Sequence, residues 1–332
     1  MDPLTDVRQI SNIAYGFIAS KTLFAALNLD LFSRLSPHAK TLTELAGEIG
    51  VPEHRLLTLL TACVSLGLIS REDGRYANAP ASEAYLVREA PAYFGDYLRF
   101  QIDRQIYPLL STLDQALQGR APRSVYEQME NPQEADYFTR AQHAGSLGPA
   151  AVLRKTVDLS QARRLLDVAG GSGAFTITLC RRHPELRATI LDFPPVIEVA
   201  KRFVREAGLE NRVDYVGANA VTEQWPAPQD VVLMSYLLSG VAGSAMGPVF
   251  AQAFRVLEPG GLLLIHDFMV DDDRSGPRNA ALWFMTFLFD PEAISFTSSE
   301  LVAQVEGAGF VGAGVRDLIP GITRLLIARK PA

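Results

Sequence analysis

Apolar side chains recur at helical spacing through residues 7–35, at Ile10, Ile13, Phe17, Ile18, Leu23, Phe24, Leu27 and Leu31. That is more than one helix face buries inside its own fold, so a partner surface is expected there. Thr41-Leu42-Thr43-Glu44 has the form of a helix start, with Thr41 as the cap and Glu44 reaching back to it. Gly50 ends that helix and Pro52 starts the next, over residues 53–66, with Leu56, Leu57, Leu59, Leu60 and Val64 expected to face inward. Gly67-Leu68-Ile69 closes it, and residues 71–76 read as a tight hairpin turning at Asp73-Gly74. Helix, turn, helix, hairpin is a winged-helix pattern.

Residues 91–158 read as helical, with Gly145, Gly148 and Pro149 expected to break the run and Pro149 to kink or restart a helix. From Arg163 onward strands and helices alternate. Strands are expected at residues 164–168, 188–191, 213–216, 231–234 and 262–268, then a closing hairpin from 313–318 and 322–328 around Pro320-Gly321. This alternation predicts an α/β fold, a parallel sheet covered on both faces. The expected divisions are residues 1–100 (helical, winged-helix), 101–158 (a helical connector) and 159–332 (the α/β domain).

Composition narrows the function classes. Hydrophobic residues make up 48% and charged residues 20% of 332, the balance of a soluble globular protein. A formal charge of −6 argues against a nucleic-acid partner. The second helix of the winged-helix pattern agrees, because only His54 and Arg55 could meet phosphate before the leucines begin. A packing and dimerisation module is the better reading of it. Cys63 and Cys180 are far apart, which fits a reducing compartment, and no metal-ligand spacing occurs, so no metal is expected. The first residues lack a basic segment followed by an apolar one. The strongest apolar run, residues 280–289, is half the length of a membrane span, so the expectation is a cytoplasmic protein without a membrane partner.

Candidate chemistry starts at Leu165-Leu166-Asp167-Val168-Ala169-Gly170-Gly171-Ser172-Gly173, where the first strand should turn into a helix. Glycine there lets backbone pass close to a ligand. A dinucleotide fingerprint would need a third glycine where Thr176 stands. Asp167 is poorly placed for a pyrophosphate and well placed for a ligand with an amino group and a sulfonium. Asp192 ends the second strand about 20 residues after the glycines, where a carboxylate can accept from both hydroxyls of a ribose.

With these pieces in place, the chain resembles the plant-type small-molecule O-methyltransferase family, which includes bacterial secondary-metabolite enzymes and the bacteriochlorophyllide C-20 methyltransferase. The resemblance runs through Leu45-Ala46, Gly50-Val51-Pro52 and Gly67-Leu68-Ile69 in the N-terminal half. In the C-terminal half it rests on the glycine loop, Leu191-Asp192-Phe193-Pro194-Pro195-Val196-Ile197, Glu258-Pro259-Gly260-Gly261 and Ala308-Gly309-Phe310. It implies a Rossmann-like seven-stranded methyltransferase sheet, an intertwined homodimer and the cofactor S-adenosyl-L-methionine (SAM). The implied cofactor residues are Asp167, Gly171, Gly173, Asp192, Asn219 and Ser235. Two of the family's residues differ here: Ala169 replaces the first loop glycine, and Asn219 replaces the acid that meets the adenine amino group.

The resemblance also exposes a gap. Where the family carries a histidine base after its fourth strand, this chain has Ser239, and the acid that orients that histidine falls near residues 292–296, with Ser295 the best match. Serine is a poor general base but a usable hydrogen-bonding group. The catalytic candidates are therefore Ser239, His143 and Tyr236, and the candidate pocket residues are Gln142, Trp283 and Phe287. Expected is methyl transfer to a small aromatic or conjugated molecule of secondary metabolism, at carbon rather than oxygen. The alternatives are a SAM-binding relative that decarboxylates, hydroxylates or rearranges its substrate, and a winged-helix regulator that senses a ligand.

Overall fold

The computed structural model describes residues 3–120, 129, 131–290, 292 and 294–332. The chain divides into two compact units, Met1–Gln105 and Ile106–Ala332.

The first unit begins with α1 (Val7–Asn28), capped by Asp6, followed by α2 (Leu31–Leu35) and the short strand β1 (Lys40–Thr41). The expected Thr41–Glu44 capping box opens α3 (Leu42–Ile49), and Gly50 closes it at φ 76°, a left-handed conformation that glycine adopts without penalty. Next come α4 (Glu53–Ser65), β2 (Ile69–Glu72), β3 (Arg75–Asn78) and α5 (Pro80–Tyr85). Asp73 and Gly74 both have positive φ, as a tight two-residue hairpin turn requires. The winged helix is thus present as read, except that Leu57 is exposed. In α4 only Leu56, Leu60 and Cys63 are fully buried, a narrower stripe than the run of leucines suggests.

The first half of α1 is apolar and uncovered: Val7, Ile10, Ile13, Tyr15, Phe17 and Ile18 are all more than half exposed. By length and composition alone this helix could cross a membrane, although its apolar positions are spaced rather than consecutive and form no continuous apolar run. A π-helical segment, Tyr97–Ile106, leads to the second unit.

That unit contains the short helices α6 (Tyr107–Leu110) and α7 (Leu113–Leu117), then the long α8 (Pro132–Thr156). The expected break in α8 does not occur. Its helix runs through Gly145, Gly148 and Pro149, because Ala141, Ser146, Pro149, Ala150 and Leu153 are buried along one side of it. Burial outweighs roughly 1 kcal/mol per glycine and the one hydrogen bond that proline removes. The alternating segment follows as β4 (Arg164–Val168), α9 (Ala174–Arg182), β5 (Arg187–Asp192), α10 (Pro194–Glu206), β6 (Val213–Gly217) and β7 (Gln229–Ser235). It ends with α11 (Gly243–Val256), β8 (Leu257–Asp267), α12 (Arg278–Phe284), α13 (Ser298–Gly307), β9 (Val311–Ile319) and β10 (Thr323–Arg329).

The seven strands form one sheet in the order β6-β5-β4-β7-β8-β10-β9. The first five are parallel, and β10 runs antiparallel to both its neighbours. Alternate residues feed two cores. Leu165, Leu233, Leu264 and Leu325 belong to one, while Leu166, Val232, Leu263 and Leu326 belong to the other. Successive side chains of a strand point to opposite faces, so both faces of the sheet are covered. The strand order reverses between β4 and β7, and ligands of open α/β sheets bind at the carboxyl ends beside such a reversal.

Candidate active site

The turn after β4 lies at that reversal. Ala169 (φ 54°), Gly171 (φ 56°) and Gly173 (φ 76°) are all left-handed. Alanine at the first of these positions adopts a conformation costing of order 1 kcal/mol or more, strain of the kind that clusters at ligand sites. At Gly173, a Cβ would stand 2.7 Å from Ile190 Cδ1, so glycine is needed twice over, for dihedral and for space.

A cavity of about 190 Å³ opens above this turn, with walls that include Asp167, Gly171, Asp192, Asn219, Ser235, Tyr236 and Gln142. Asp167 is wholly buried. Its Oδ2 accepts from Thr176 Oγ1 at 2.7 Å, its Oδ1 has no partner, and burial pushes its pKa up to about 7. An unpartnered buried carboxylate oxygen is costly unless a cationic donor meets it. Asp192 accepts from the Gly171 N–H through Oδ2 and from the Phe193 N–H through Oδ1, each at 2.8 Å, and burial pushes it up to about 6. Two desolvated carboxylates in one cavity suit a ligand with an ammonium at one end and hydroxyls at the other. The amino group and ribose of SAM satisfy both requirements.

The remaining candidates divide. Asn219 lines the cavity, with Oδ1 already accepting from the Val221 N–H at 2.9 Å, so its amide NH2 and second lone pair are what a ligand can meet. Gly173 caps α9 and supports the wall without lining it. Ser239 sits in a short 3₁₀ turn, Leu238–Gly240, fully buried; its N–H donates to Asp267 Oδ2 at 3.1 Å and its hydroxyl has no hydrogen-bond acceptor of its own. It lies behind Leu237, Gly240 and Val241, which do line the cavity. His143 also misses the wall: its ring stacks on Phe203 at 3.9 Å, Nδ1 bonds Ser172 Oγ at 2.8 Å, and burial pulls its pKa down to about 4. It braces the glycine turn as a neutral ring. Trp283 stacks on Phe268 and Phe287 is packed in the core, and neither reaches the cavity. Ser295 bonds Arg274 instead, and residue 293 of its window lies outside the described residues.

Sequence reasoning named Gln142, which lines the cavity, but missed its neighbours. Thr139 and Ser146 stand at helical spacing on either side of it on α8 and face the cavity too, with Thr139 Oγ1 buried and unpartnered. Their spacing could have revealed them. Nothing local could have revealed Asp267, a buried carboxylate pushed up to about 6 that holds the 3₁₀ turn from 28 residues away.

Residues 118–311, more than half of the chain, match the family's O-methyltransferase domain, and residues 11–88 match the O-methyltransferase dimerisation domain. The chain belongs to the O-methyltransferase family. It is an S-adenosylmethionine-dependent methyltransferase, and the cavity beside Asp167 and Asp192 fits that cofactor. Among curated relatives, it is 32% identical to the 3-hydroxy-5-methyl-1-naphthoate 3-O-methyltransferase of Streptomyces sahachiroi, over 94% of each chain. It is 30% identical to the tetracenomycin polyketide synthesis 8-O-methyl transferase TcmO of Streptomyces glaucescens, over the full length of both. A crystal structure of human N-acetylserotonin methyltransferase in complex with SAM shares the fold, with a TM-score of 0.87 at 23% identity over 100% of both chains.

Proposed function

We propose that this methyltransferase of secondary metabolism acts on an aromatic or conjugated small molecule, at a carbon made nucleophilic by the acceptor's own substituents. The observation that carries this reading is the cavity wall. Ser239 is sealed behind it, and among the described lining residues the titratable groups are Asp167, Asp192 and Tyr236. The two carboxylates serve the cofactor. The Tyr236 hydroxyl, pushed up by burial, is a proton donor at neutral pH rather than a base. An acceptor in this cavity must bring its own nucleophile.

SAM supplies a methyl group on a sulfonium, already activated for direct displacement. The chain's residues bind and align. Asp167 meets the amino group, Asp192 the ribose hydroxyls, and Asn219 the adenine edge. Phe138, Phe175, Phe193 and Val241 give the cavity apolar walls that exclude water and hold a flat ring in line. A hydroxyl already ionised in solution is the second reading, favoured by the two relatives above, whose names both carry O-methylation.

Incubation with methyl-labelled SAM and a panel of phenols, aromatic acids and ketones tests both. NMR should locate the label on a ring or enol carbon beside an oxygen substituent. Label in a methoxy group selects the second reading. Cofactor-dependent turnover that leaves no label in any product would sink both.

The dimerisation-domain match and the uncovered apolar half of α1 support a homodimer. Light scattering at micromolar concentration should return twice the 36.3 kDa chain mass, and a monomer there would refute it.

A further inference from the structure

One buried polar chain crosses three neighbouring strands and ends in the cavity. Ser235, the last residue of β7, lines the cavity, and its Oγ lies 2.8 Å from His266 Nδ1 on β8. His266 Nε2 lies 2.8 Å from Thr323 Oγ1 at the start of β10, where Thr323 is buried and, among the described residues, its hydroxyl has this one hydrogen-bond partner. His266 is wholly buried, with the rings of Tyr236 at 4.5 Å and Phe175 at 5.6 Å, and burial pulls its pKa down to about 3. A neutral imidazole has one donor and one acceptor nitrogen, so the direction of every proton in this chain is linked. The buried Thr323 hydroxyl satisfies its own proton only by giving it to His266 Nε2, so Thr323 donates there. His266 Nδ1–H then donates to Ser235, whose own O–H is left to point into the cavity. Donors linked in series polarise one another.

The sheet order says which ligand meets that hydroxyl. Asp192 on β5 and Asn219 beyond β6 mark the nucleoside end of the cofactor, and Asp167 on β4 marks its amino-acid end. Ser235 on β7 lies on the opposite side of β4 from the nucleoside end, where the acceptor must approach the methyl group. We propose that Ser235 is a hydrogen-bond donor for an oxyanion of the acceptor, oriented by His266 and Thr323 as positioning residues. The acceptor class is then a phenol or enol bound as its anion, with the negative oxygen held at Ser235 and the carbon beside it presented for methylation. This rests on the proposed function above and deepens it. Among the described residues, the other titratable groups facing the cavity are Asp167, Asp192 and Tyr236, with Asp267 behind the 3₁₀ turn.

Nitrogen-15 NMR of the histidine-labelled, ligand-free enzyme reads the linkage directly, with His266 assigned from the shift that Ser235→Ala causes. The proton is expected on Nδ1. A proton on Nε2 would make Ser235 an acceptor and overturn the proposal, whatever any labelling assay shows. The second arm titrates 2-naphthol in the presence of S-adenosylhomocysteine, following phenol and phenolate by absorbance. Bound naphthol should be at least tenfold more acidic than free naphthol. Ser235→Ala and Thr323→Val should abolish that gain, Thr323→Ser should retain it, and cofactor affinity should stay unchanged in both Thr323 variants. Naphthol that binds with its free acidity, or fails to bind, overturns the oxyanion role, as does an acidity gain that survives in both Ser235→Ala and Thr323→Val.

Discussion

Asp167→Asn will weaken binding of SAM and of its demethylated product alike, by about 10- to 150-fold, the usual span for a hydrogen bond to a charged group. The product has lost the sulfonium but keeps the amino group, so equal losses locate the contact at the amino-acid end. Calorimetry on the pair reads it, and a loss confined to SAM would place Asp167 at the sulfonium instead. The same carboxylate makes affinity depend on pH. In the free enzyme burial raises Asp167 to about 7 and Asp192 to about 6, so both carry protons in mildly acidic solution. A bound ammonium favours the charged carboxylate, and the complex therefore holds fewer protons than its parts. Affinity should rise toward pH 7 and level off above it, falling as pH drops through 7 and 6, with proton release on binding visible as buffer-dependent heats. The stability of the ligand-free protein runs the other way. A carboxyl raised above its unfolded value stabilises the fold below that unfolded value, and the benefit is lost as pH rises through the folded value. Asp167→Asn should thus leave the empty enzyme as stable as wild type, or more so, at pH 8, while shrinking the stabilisation that cofactor confers.

This opposition accounts for what the sequence could convey about the site. Asp167 and Asp192 were legible because a strand end fixes where its last side chain points, and both residues sit at the carboxyl ends of parallel strands. Every expected strand is present, its ends shifted by a few residues, because apolar alternation against two cores is a property of each segment by itself. The residues that misled are those whose direction is decided elsewhere. Ser239 has the right position in the chain for a catalytic group, but Asp267 turns its backbone inward. His143 and Gln142 are neighbours on α8, and the helix can present only one of them to the cavity. It presents Gln142, and Phe203 covers the other. Trp283 and Phe287 belong to an aromatic run that packs in or against the core, and periodicity alone could not separate that packing from a pocket wall. The breaks foretold in α8 failed for the same reason in reverse, since local helix propensity is small beside the tertiary burial of that helix.

Gly173→Ala should lower the unfolding free energy by about 2–5 kcal/mol. Two costs add. The left-handed backbone at φ 76° penalises any Cβ by about 1–2 kcal/mol. The new methyl also meets Ile190 Cδ1 at 2.7 Å, and Ile190 is fully buried in the core between the sheet and α10, so relief requires repacking at about 1–3 kcal/mol. The second cost can be removed separately. Ile190→Val deletes the offending carbon and alone costs about 0.5–1.5 kcal/mol. In the double variant the clash is gone while the backbone strain stays, so the two changes together should cost less than their sum by about 1 kcal/mol or more. Urea unfolding of the four proteins gives the cycle. Strict additivity would mean that Gly173 is required for its dihedral alone, and the close approach of turn to β5 would no longer explain the residue. Cofactor binding supplies the link to function. Gly170 and Gly171 carry the turn from Asp167 to the N-terminus of α9, and the Gly171 N–H holds Asp192. A shift of the turn at Gly173 therefore moves the ribose carboxylate, and affinity should fall in the single variant and recover in part when Ile190 gives way.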